Sequence, residues 1–322
     1  MIAIRIHQTG GPEKLRADEI PVPEPAAGQL RIRVEAAGLN FVDTYFRAGL
    51  YAAPLPLVIG SEVAGVVSAV GDAGTGFSVG DRVVTARALG GYAEQTLAPA
   101  EFTVRIPDGV TTQVAAAVFL QGLTAHYLAC ATFPLKPGDT ALVHAGAGGV
   151  GLLLTQIAKK CGARVIATVG SEAKVALARE AGADAVCVTA KENFADAARV
   201  FTGGRGVDVA YDSVGKDTFE GTLASLRPRG MFVSFGNASG PVPPFSPLIL
   251  SQKGSLFFTR PTLANYAATS AELRSRADEL FAWVADGTLR VRIGATFPLA
   301  AAAEAHRALE SRTTTGKALL LP

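Results

Sequence analysis

Apolar and polar residues alternate along much of the first 120 positions of the chain. Residues 29–35, Gln-Leu-Arg-Ile-Arg-Val-Glu, predict a strand with one buried face and with Arg31 and Arg33 turned to water. Residues 63–70 form another apolar run, and glycine turns separate such runs from one another. This pattern is typical of a β-rich domain.

Apolar runs of strand length alternate with longer helical segments from about residue 111 to residue 262. The first helix is predicted to begin at Thr111 or Thr112, because either side chain can cap it. The predicted strands cover residues 140–144, 164–169, 185–188, 207–211, 230–235 and 255–259. The alternation predicts an α/β protein with a doubly wound parallel sheet.

A glycine-rich turn follows the first of these strands. Residues 145–151 read Ala-Gly-Ala-Gly-Gly-Val-Gly and contain the spacing G-x-G-x-x-G, and the helix after them is predicted to end near Gly162. Between a strand and a helix, such glycines let backbone amides approach a pyrophosphate at the helix N-terminus. We therefore predict a dinucleotide site; the alternative is a turn that binds nothing.

The last 60 residues do not continue the alternation. They predict helices at residues 271–285 and 300–309 and a strand at residues 317–321. The chain is therefore expected to leave the nucleotide-binding domain and to rejoin the first domain. The predicted domains are a β-rich domain of residues 1–122 and 263–322 and a nucleotide-binding domain of residues 123–262.

Composition limits the class of protein. Hydrophobic residues make up 49% and charged residues 18% of the 322 residues, which predicts a globular chain long enough for two domains. The net charge of +2 argues against a nucleic-acid partner. A membrane-spanning helix needs about 20 apolar residues, and no apolar run is expected to approach this length, so no association with a membrane is predicted. Cys130, Cys161 and Cys187 lack C-x-x-C spacing and are expected to be buried thiols, which predicts a cytoplasmic location.

With these features, the chain resembles the medium-chain dehydrogenase/reductase superfamily, and within it the zinc-independent NADPH quinone oxidoreductases related to ζ-crystallin. The resemblance runs nearly from end to end. The matching stretches are residues 38–49, 122–127, 144–151, 211–215, 234–237, 252–256 and 309–312. The resemblance implies a Rossmann sheet, a β-rich GroES-like catalytic domain and an active site in the cleft between them.

Zinc ligands are missing at the positions where the resemblance would place them. Zinc-dependent members have a cysteine after the first long strand and a histidine in a Gly-His-Glu sequence, whereas this chain has Asn40, Asp43 and Gly60-Ser61-Glu62. Glu62 without Cys or His partners cannot form the usual catalytic zinc set. His126 and His144 lie in apolar segments and are expected in the core, and His7 and His306 are far along the chain from the matching motifs. No metal is predicted.

The cofactor is predicted to be NADPH. The second strand of the nucleotide domain ends at Gly170 and Ser171, without the acidic residue that usually binds the ribose of NAD. Lys174 offers a positive charge for a 2′-phosphate. The alternative interpretation is that Lys174 is a solvated helix residue without a ligand. By the resemblance, Lys174 and Arg312 bind the cofactor at its 2′-phosphate end. This chain has Thr189 at a position where relatives commonly have tyrosine. The cofactor-binding residues it implies are Asn40, Tyr45, Thr124, Tyr127, Gly146, Gly148, Gly149, Val150, Gly151, Gly170, Ser171, Lys174, Thr189, Val214, Phe235, Asn237, Leu263 and Arg312.

The catalytic residues implied by the resemblance are Asn40, Asp43 and Tyr45. Tyr45 is a candidate hydrogen-bond donor to a developing oxyanion, or else an aromatic residue that only packs at the cleft wall. Asn40 would orient the cofactor or the substrate. A quinone suits a site without metal, since hydride addition yields an aromatic hydroquinone anion.

Two other functions stay open. An enone, alkenal or enoyl-thioester reductase would use the same scaffold, and a non-catalytic NADPH-binding or RNA-binding protein belongs to another class. The predicted strand from Ser255 to Thr259 is expected at the edge of the sheet, where a second copy of the chain would cover it and form a homodimer. The chain's own loops are the alternative cover.

Overall fold

The structure is a computed structural model that describes residues 1–322 except for the side chain of Ala73, and it divides the chain into two units. The β-rich unit comprises Met1–Gln121 and Thr269–Pro322, and the central unit is Gly122–Ala268. The strands are β1 Ile2–Ile6, β2 Arg16–Glu19, β3 Gln29–Leu39, β4 Leu57–Val58, β5 Val63–Val70, β6 Arg82–Thr85, β7 Gln95–Pro99, β8 Thr103–Arg105, β9 Thr140–Val143, β10 Arg164–Val169, β11 Ala185–Val188, β12 Val207–Asp212, β13 Leu226–Ser234, β14 Phe257–Thr259, β15 Ile293–Pro298 and β16 Lys317–Leu321. The helices are α1 Phe41–Ala48, α2 Thr112–Tyr127, α3 Gly149–Lys160, α4 Val175–Glu180, α5 Phe194–Phe201, α6 Phe219–Ser225, α7 Leu248–Gln252, α8 Leu263–Tyr266, α9 Ser270–Ala285 and α10 Ala302–Glu310.

Strand β3 is the centre of the β-rich unit. It pairs antiparallel with β5, β7 and β16, within a sheet of order β15-β16-β3-β5-β6-β8. Leu30, Ile32 and Val34 are buried in the core, as their alternation predicts. Arg33 faces water, but the prediction was wrong for Arg31, whose side chain is only 17% exposed and donates to Ser68 and Glu24.

The return of the chain to the first unit is confirmed by strand pairing. Ala318 of β16 lies opposite Leu39 of β3, and β15 pairs in parallel with β16. Helix α9 begins after Thr269, whose hydroxyl accepts the backbone N–H of Glu272. The last 54 residues, Thr269–Pro322, therefore belong to the same unit as the first strands.

The central unit contains a parallel sheet in the order β11-β10-β9-β12-β13-β14. The chain runs outward from β9 in one direction and then restarts beside β9 with β12, so the strand order reverses between these two strands. This is the order of a doubly wound dinucleotide-binding sheet, in which ligands lie outside the carboxyl ends of the strands. The predicted fold class is confirmed, and the bounds of the predicted domains stay a prediction.

Two elements differ from their predictions. The edge strand β14 has three residues instead of five, because Ser255 has φ +55° and cannot extend it. The helical stretch Thr112–Thr132, which is α2 and the π-helical turn after it, is 21 residues long and is apolar enough to cross a membrane. The expectation that no apolar run reaches this length was therefore wrong. Of its most apolar window, 72% is buried inside the protein, as in a core helix.

Candidate cofactor and active site

The glycine turn lies between β9 and α3, as predicted. Gly148 is the N-cap of α3, and the first turn of this helix carries no acidic residue. A Cβ atom at Gly151 would come within 2.3 Å of the Ala145 carbonyl oxygen, and one at Gly146 within 2.7 Å of the Ala167 side chain. Only glycine fits these two positions, because a side chain would push the turn away from the sheet and from α3. The close packing leaves the backbone amides of the first turn of α3 open to a ligand, and we call residues 146–151 the amide cradle. This cradle fits the pyrophosphate of a dinucleotide.

The end of β10 is open beside this cradle. Apart from Gly170 itself and its two neighbours in sequence, no residue has an atom within 4 Å of a Cβ built on Gly170, and Ser171 precedes a short 3₁₀ helix that contains Lys174. Thr189 packs beside Gly170, since both its backbone N–H and its hydroxyl donate to the carbonyl oxygen of Val169. Gly170, Ser171, Lys174 and Thr189 therefore lie near the same strand end, where the sequence predicts the 2′-phosphate and the adenine.

Asp212, at the end of β12, organises a third loop. Its buried carboxylate accepts the backbone N–H groups of Val214 and Gly215 and the hydroxyl of Thr218. The backbone N–H of Phe235 donates to the Asp212 carbonyl oxygen at 2.7 Å. The predicted cofactor residues Val214 and Phe235 are thus held together at the carboxyl edge of the sheet.

His144, directly after β9, connects β10 to α6. Its Nδ1 lies 3.1 Å from the hydroxyl of Thr168, and its Nε2 lies 2.9 Å from the hydroxyl of Thr222. Burial lowers the pKa of His144, although the charge of Asp212 opposes this shift, so the ring stays neutral. The prediction that His144 is a core residue with hydrogen bonds is confirmed.

The remaining predicted residues of the central unit form a second group. Tyr127 is buried and stacks on Tyr266 of α8, with ring centroids 4.5 Å apart. Leu263 begins α8, and Thr124 is buried one turn before Tyr127 on α2. With its amide oxygen and nitrogen exchanged, which satisfies both groups, the side chain of Asn237 donates to the Gly236 carbonyl oxygen and accepts from the guanidinium of Arg260.

The predicted catalytic residues lie at the start of α1 in the β-rich unit, with Asp43 in its first turn and Tyr45 as its fifth residue. Asn40 is the N-cap of α1, and its backbone N–H donates to Oδ2 of Asp43 at 2.9 Å. Tyr45 is buried, and its ring meets that of Tyr51 edge to face, with centroids 5.4 Å apart. The roles assigned to these residues stay predictions. Arg312 lies in this unit too, on the turn after α10, and its contact with a cofactor also stays a prediction.

The side chain of Asn40 belongs to a buried polar cluster. Its Nδ2 donates to the Gly38 carbonyl oxygen and to Oε2 of Glu62, and its Oδ1 accepts from Nζ of Lys317 and from Nε2 of Gln121. These four contacts use all the hydrogen-bonding capacity of an amide. A contact between Asn40 and a ligand would therefore have to replace one of them.

A second buried chain of side chains ends at Asp43. Tyr92 donates to Oδ2 of Asp43 at 2.8 Å, Nε2 of His306 lies 3.4 Å from the Tyr92 hydroxyl, and Nδ1 of His306 lies 2.9 Å from the Arg47 guanidinium. Burial raises the pKa of Asp43 to about 7, although the two hydrogen bonds and the charge of Lys317 oppose the shift. Burial and the neighbouring Arg47 lower the pKa of His306 to about 3.

A zinc ion does not fit the described residues. They contain no group of three or more His, Cys, Asp and Glu side chains that could hold a metal ion. Glu62, which follows the position of the missing histidine, uses one carboxylate oxygen for the Leu120 N–H and the other for Lys317 and Asn40. Zinc independence itself stays a prediction.

The cysteines are less buried than expected. In the part of the chain that the structure describes, none forms a disulfide, but only Cys187 is fully buried, whereas Cys130 and Cys161 are partly exposed. Burial raises the pKa of the Cys187 thiol to about 12, which keeps this thiol protonated.

Sequence reasoning missed Tyr92, Lys317, His306 and Asp212, and it considered Glu62 only as a zinc ligand without Cys or His partners. One signal was present for Lys317, since it begins an otherwise apolar strand, Lys-Ala-Leu-Leu-Leu. A lysine in such a run is rarely buried without a partner. No local pattern identifies the partners of Tyr92 or His306, because they lie on distant segments.

Comparisons with known proteins agree with this geometry. Residues 26–108 match the family model described as "Alcohol dehydrogenase GroES-like domain", and residues 149–285 match the one described as "Zinc-binding dehydrogenase". These are the two halves of medium-chain dehydrogenases/reductases, the class that the two sheets and the glycine turn define.

Individual relatives narrow the class. A quinone oxidoreductase of Pseudomonas aeruginosa is 50% identical over 315 residues, which are 97% of each chain. The structure of Escherichia coli quinone oxidoreductase complexed with NADPH is 44% identical, with a TM-score of 0.98 over 100% of both chains. A 2-haloacrylate reductase of Burkholderia sp. is 42% identical over 100% of this chain and 99% of its own. The chain belongs to the quinone oxidoreductase family of the medium-chain dehydrogenase/reductase superfamily.

Proposed function

We propose that the protein is an NADPH-dependent quinone oxidoreductase that works without zinc. The observation that supports this most directly is the amide cradle at Gly146–Gly151, beside a strand end that carries Ser171 and Lys174 and whose one acidic residue, Glu172, is paired with Lys191. The fold is shared along the whole chain with a quinone oxidoreductase that was crystallised with NADPH.

The residues of the central unit would hold the cofactor at its phosphates. Gly149, Val150 and Gly151 would present backbone amides to the pyrophosphate at the start of α3, where the helix dipole favours negative charge. The N–H groups of Gly146 and Gly148 already donate to the carbonyl oxygens of Thr168 and Ala145, so these two glycines would contribute by letting the turn approach the phosphates closely. Gly170, Ser171 and Lys174 would receive the 2′-phosphate. When bound, NADPH supplies the hydride.

The β-rich unit would supply the polar groups at the reacting end. A quinone is electron-poor, so its carbonyl needs a hydrogen-bond donor but no Lewis acid. Tyr45 is the proposed donor to the developing oxyanion. Asp43 would act mainly on the N-cap of α1, whose backbone N–H donates to its carboxylate. The side chain of Asn40 would act mainly within the buried polar cluster, because all four of its hydrogen bonds go to Gly38, Glu62, Gln121 and Lys317.

The test is a panel of electron acceptors offered to the pure protein with NADPH or NADH. We expect NADPH oxidation with small quinones and a loss of kcat in Tyr45→Phe that leaves the Kd for NADPH unchanged. Tyr51→Phe is the matched control, because its ring lies edge to face with that of Tyr45. No NADPH oxidation with any quinone would reject the proposed function.

A reductase of activated alkenes is the second candidate, because a 2-haloacrylate reductase is 42% identical over the full chain. A hydride delivered to the β-carbon of such a substrate needs the same donor at its carbonyl group. The same panel should include 2-haloacrylates, 2-alkenals and enoyl thioesters. A kcat/KM for any of these that exceeds the value for quinones would favour this candidate.

Assembly and location complete the proposal. A homodimer would cover β14, the edge strand of the central sheet, with the same strand of a second copy across a two-fold axis. The exposure of Phe257, at 58%, supports this cover. The cytoplasm is the proposed compartment, because reduced thiols and NADPH chemistry suit a reducing environment.

A further inference from the structure

The buried chain Arg47–His306–Tyr92–Asp43 links two helices of the β-rich unit. All four side chains are buried, and they join α10, which carries His306, to α1, which carries Arg47 and Asp43. Arg47 is itself anchored, since its guanidinium donates to both carboxylate oxygens of Glu310 and to the carbonyl oxygen of Gly10. The Arg47 end of this chain of side chains is therefore held in place by Glu310 and Gly10.

The hydrogen bonds along this chain of side chains all run in one direction. A guanidinium has only donors, so Nδ1 of His306 must accept from Arg47 and Nε2 must carry the proton of the neutral ring. Nε2–H then donates to the oxygen of Tyr92, and the hydroxyl of Tyr92 donates to Oδ2 of Asp43. Every donor thus points toward the Asp43 carboxylate.

The chain cannot be a proton relay, because Arg47 at its far end cannot accept a proton. Its effect falls on Asp43. Oδ2 receives both the Tyr92 hydroxyl and the Asn40 backbone N–H, and two donors on one oxygen stabilise the ionised carboxylate. The other charged groups around Asp43 are Lys317, which favours ionisation, and Glu62, which opposes it.

We propose that His306 is a positioning residue for the active site, which acts through Tyr92 to hold the Asp43 carboxylate on the N-cap of α1 and so fixes the start of the helix that carries Asn40 and Tyr45. The catalytic consequence rests on the proposed function, whereas the effect on Asp43 does not. His306 touches neither substrate nor cofactor in this role.

The first experiment measures the titration of the Asp43 carboxyl by ¹³C NMR, with assignment by Asp43→Asn. Tyr92→Phe removes only a hydroxyl, and we expect it to raise the midpoint by about one pH unit. His306→Leu should raise the midpoint in the same direction, and His306→Gln should restore it, because an amide can accept from Arg47 and donate to Tyr92. An unmoved midpoint in both Tyr92→Phe and His306→Leu would overturn the proposal.

The second experiment separates positioning from stability. His306→Leu should lower kcat for quinone reduction about tenfold and change the KM for NADPH by less than about twofold, because the cofactor phosphates are bound elsewhere. His306→Gln should recover most of kcat. A loss of kcat in His306→Leu that His306→Gln does not restore would overturn the proposal. Absence of turnover in the wild type would instead reject the proposed function, and the NMR titration would still decide the role of His306.

Discussion

Nζ of Lys317 lies 2.5 Å from Oε2 of Glu62, and neither side chain is more than 1% exposed. The pair joins β16 to the segment before β5, across 255 positions of the chain. Gly38 makes room for it, since a Cβ at this position would clash with the Glu62 carboxylate and approach Nζ of Lys317 to 2.9 Å.

Removal of one partner should be costly because it leaves the other charge buried and unpaired. We expect Lys317→Met to lower the free energy of unfolding by about 3–5 kcal/mol. The double variant Glu62→Gln/Lys317→Met should lose much less, since neither charge remains. Urea unfolding of the three proteins checks the prediction, and equal losses in the single and double variants would contradict it.

Asp43 should make stability depend on pH. Its pKa of about 7 lies above the ordinary value of 3.8, so the folded state holds this proton more tightly than the unfolded state does. The stabilisation is complete below about pH 4 and is lost as the pH rises through about 7. Relative to Asp43→Asn, the wild type should lose up to about 4 kcal/mol over this range. Unfolding curves of both proteins at several pH values test this. A wild type that gains stability relative to Asp43→Asn as the pH rises would contradict it.

Lys174 should decide between the two nicotinamide cofactors. We expect Lys174→Ala to raise the Kd for NADPH about tenfold to a hundredfold and to leave the Kd for NADH nearly unchanged, because one charge-assisted contact to the 2′-phosphate is lost. Lys191→Ala is a matched control, since this exposed lysine pairs with Glu172. Calorimetric titrations measure both Kd values. Equal effects of Lys174→Ala on NADPH and NADH would reject the role of Lys174 as a ligand of the 2′-phosphate.

Zinc content is directly measurable. We expect elemental analysis of the pure protein to give far less than one zinc per chain, and a strong chelator to leave turnover unchanged. Stoichiometric zinc with chelator-sensitive activity would show that the donors near Glu62 were misinterpreted.

Phe257 should control assembly, whereas its neighbour Phe258 should not be used to test it. Phe258 packs against Phe219, Phe232 and Phe245 inside the central unit, so a substitution there would damage the core. We expect Phe257→Lys to give monomers that still bind NADPH, and Val79→Lys, at another exposed apolar residue of the β-rich unit, to leave the dimer intact. Analytical ultracentrifugation tests both variants. A wild-type monomer at micromolar concentration would rule out the homodimer.

The central sheet could be predicted because its signals are local. The strand before the turn, the glycines of residues 145–151 and the helix after them are adjacent in sequence, and each strand up to β13 was located within a few residues. The last strand was predicted too long, because nothing local shows that Ser255 adopts a left-handed conformation.

The polar network around α1 could not be predicted, because its members meet only through the fold. His306 lies 259 positions from Arg47, and Glu62 lies 58 positions from Leu120. Hydrophobic periodicity reports which face of a strand is buried, but it does not report which buried charge meets which. For this reason Asp43 was predicted as a catalytic residue on resemblance alone, whereas the structure shows what its carboxylate binds.

The division of the β-rich unit across the chain also has a consequence for biosynthesis. The central unit is continuous, Gly122–Ala268, and can close its parallel sheet as soon as the ribosome has released it. The first 121 residues emerge earlier, but they must wait for Lys317 before the carboxylate of Glu62 gains its counterion. Nascent chains therefore expose an incomplete N-terminal segment of 121 residues until the C-terminal strand has been synthesised, and this segment is the part that chaperones would have to protect.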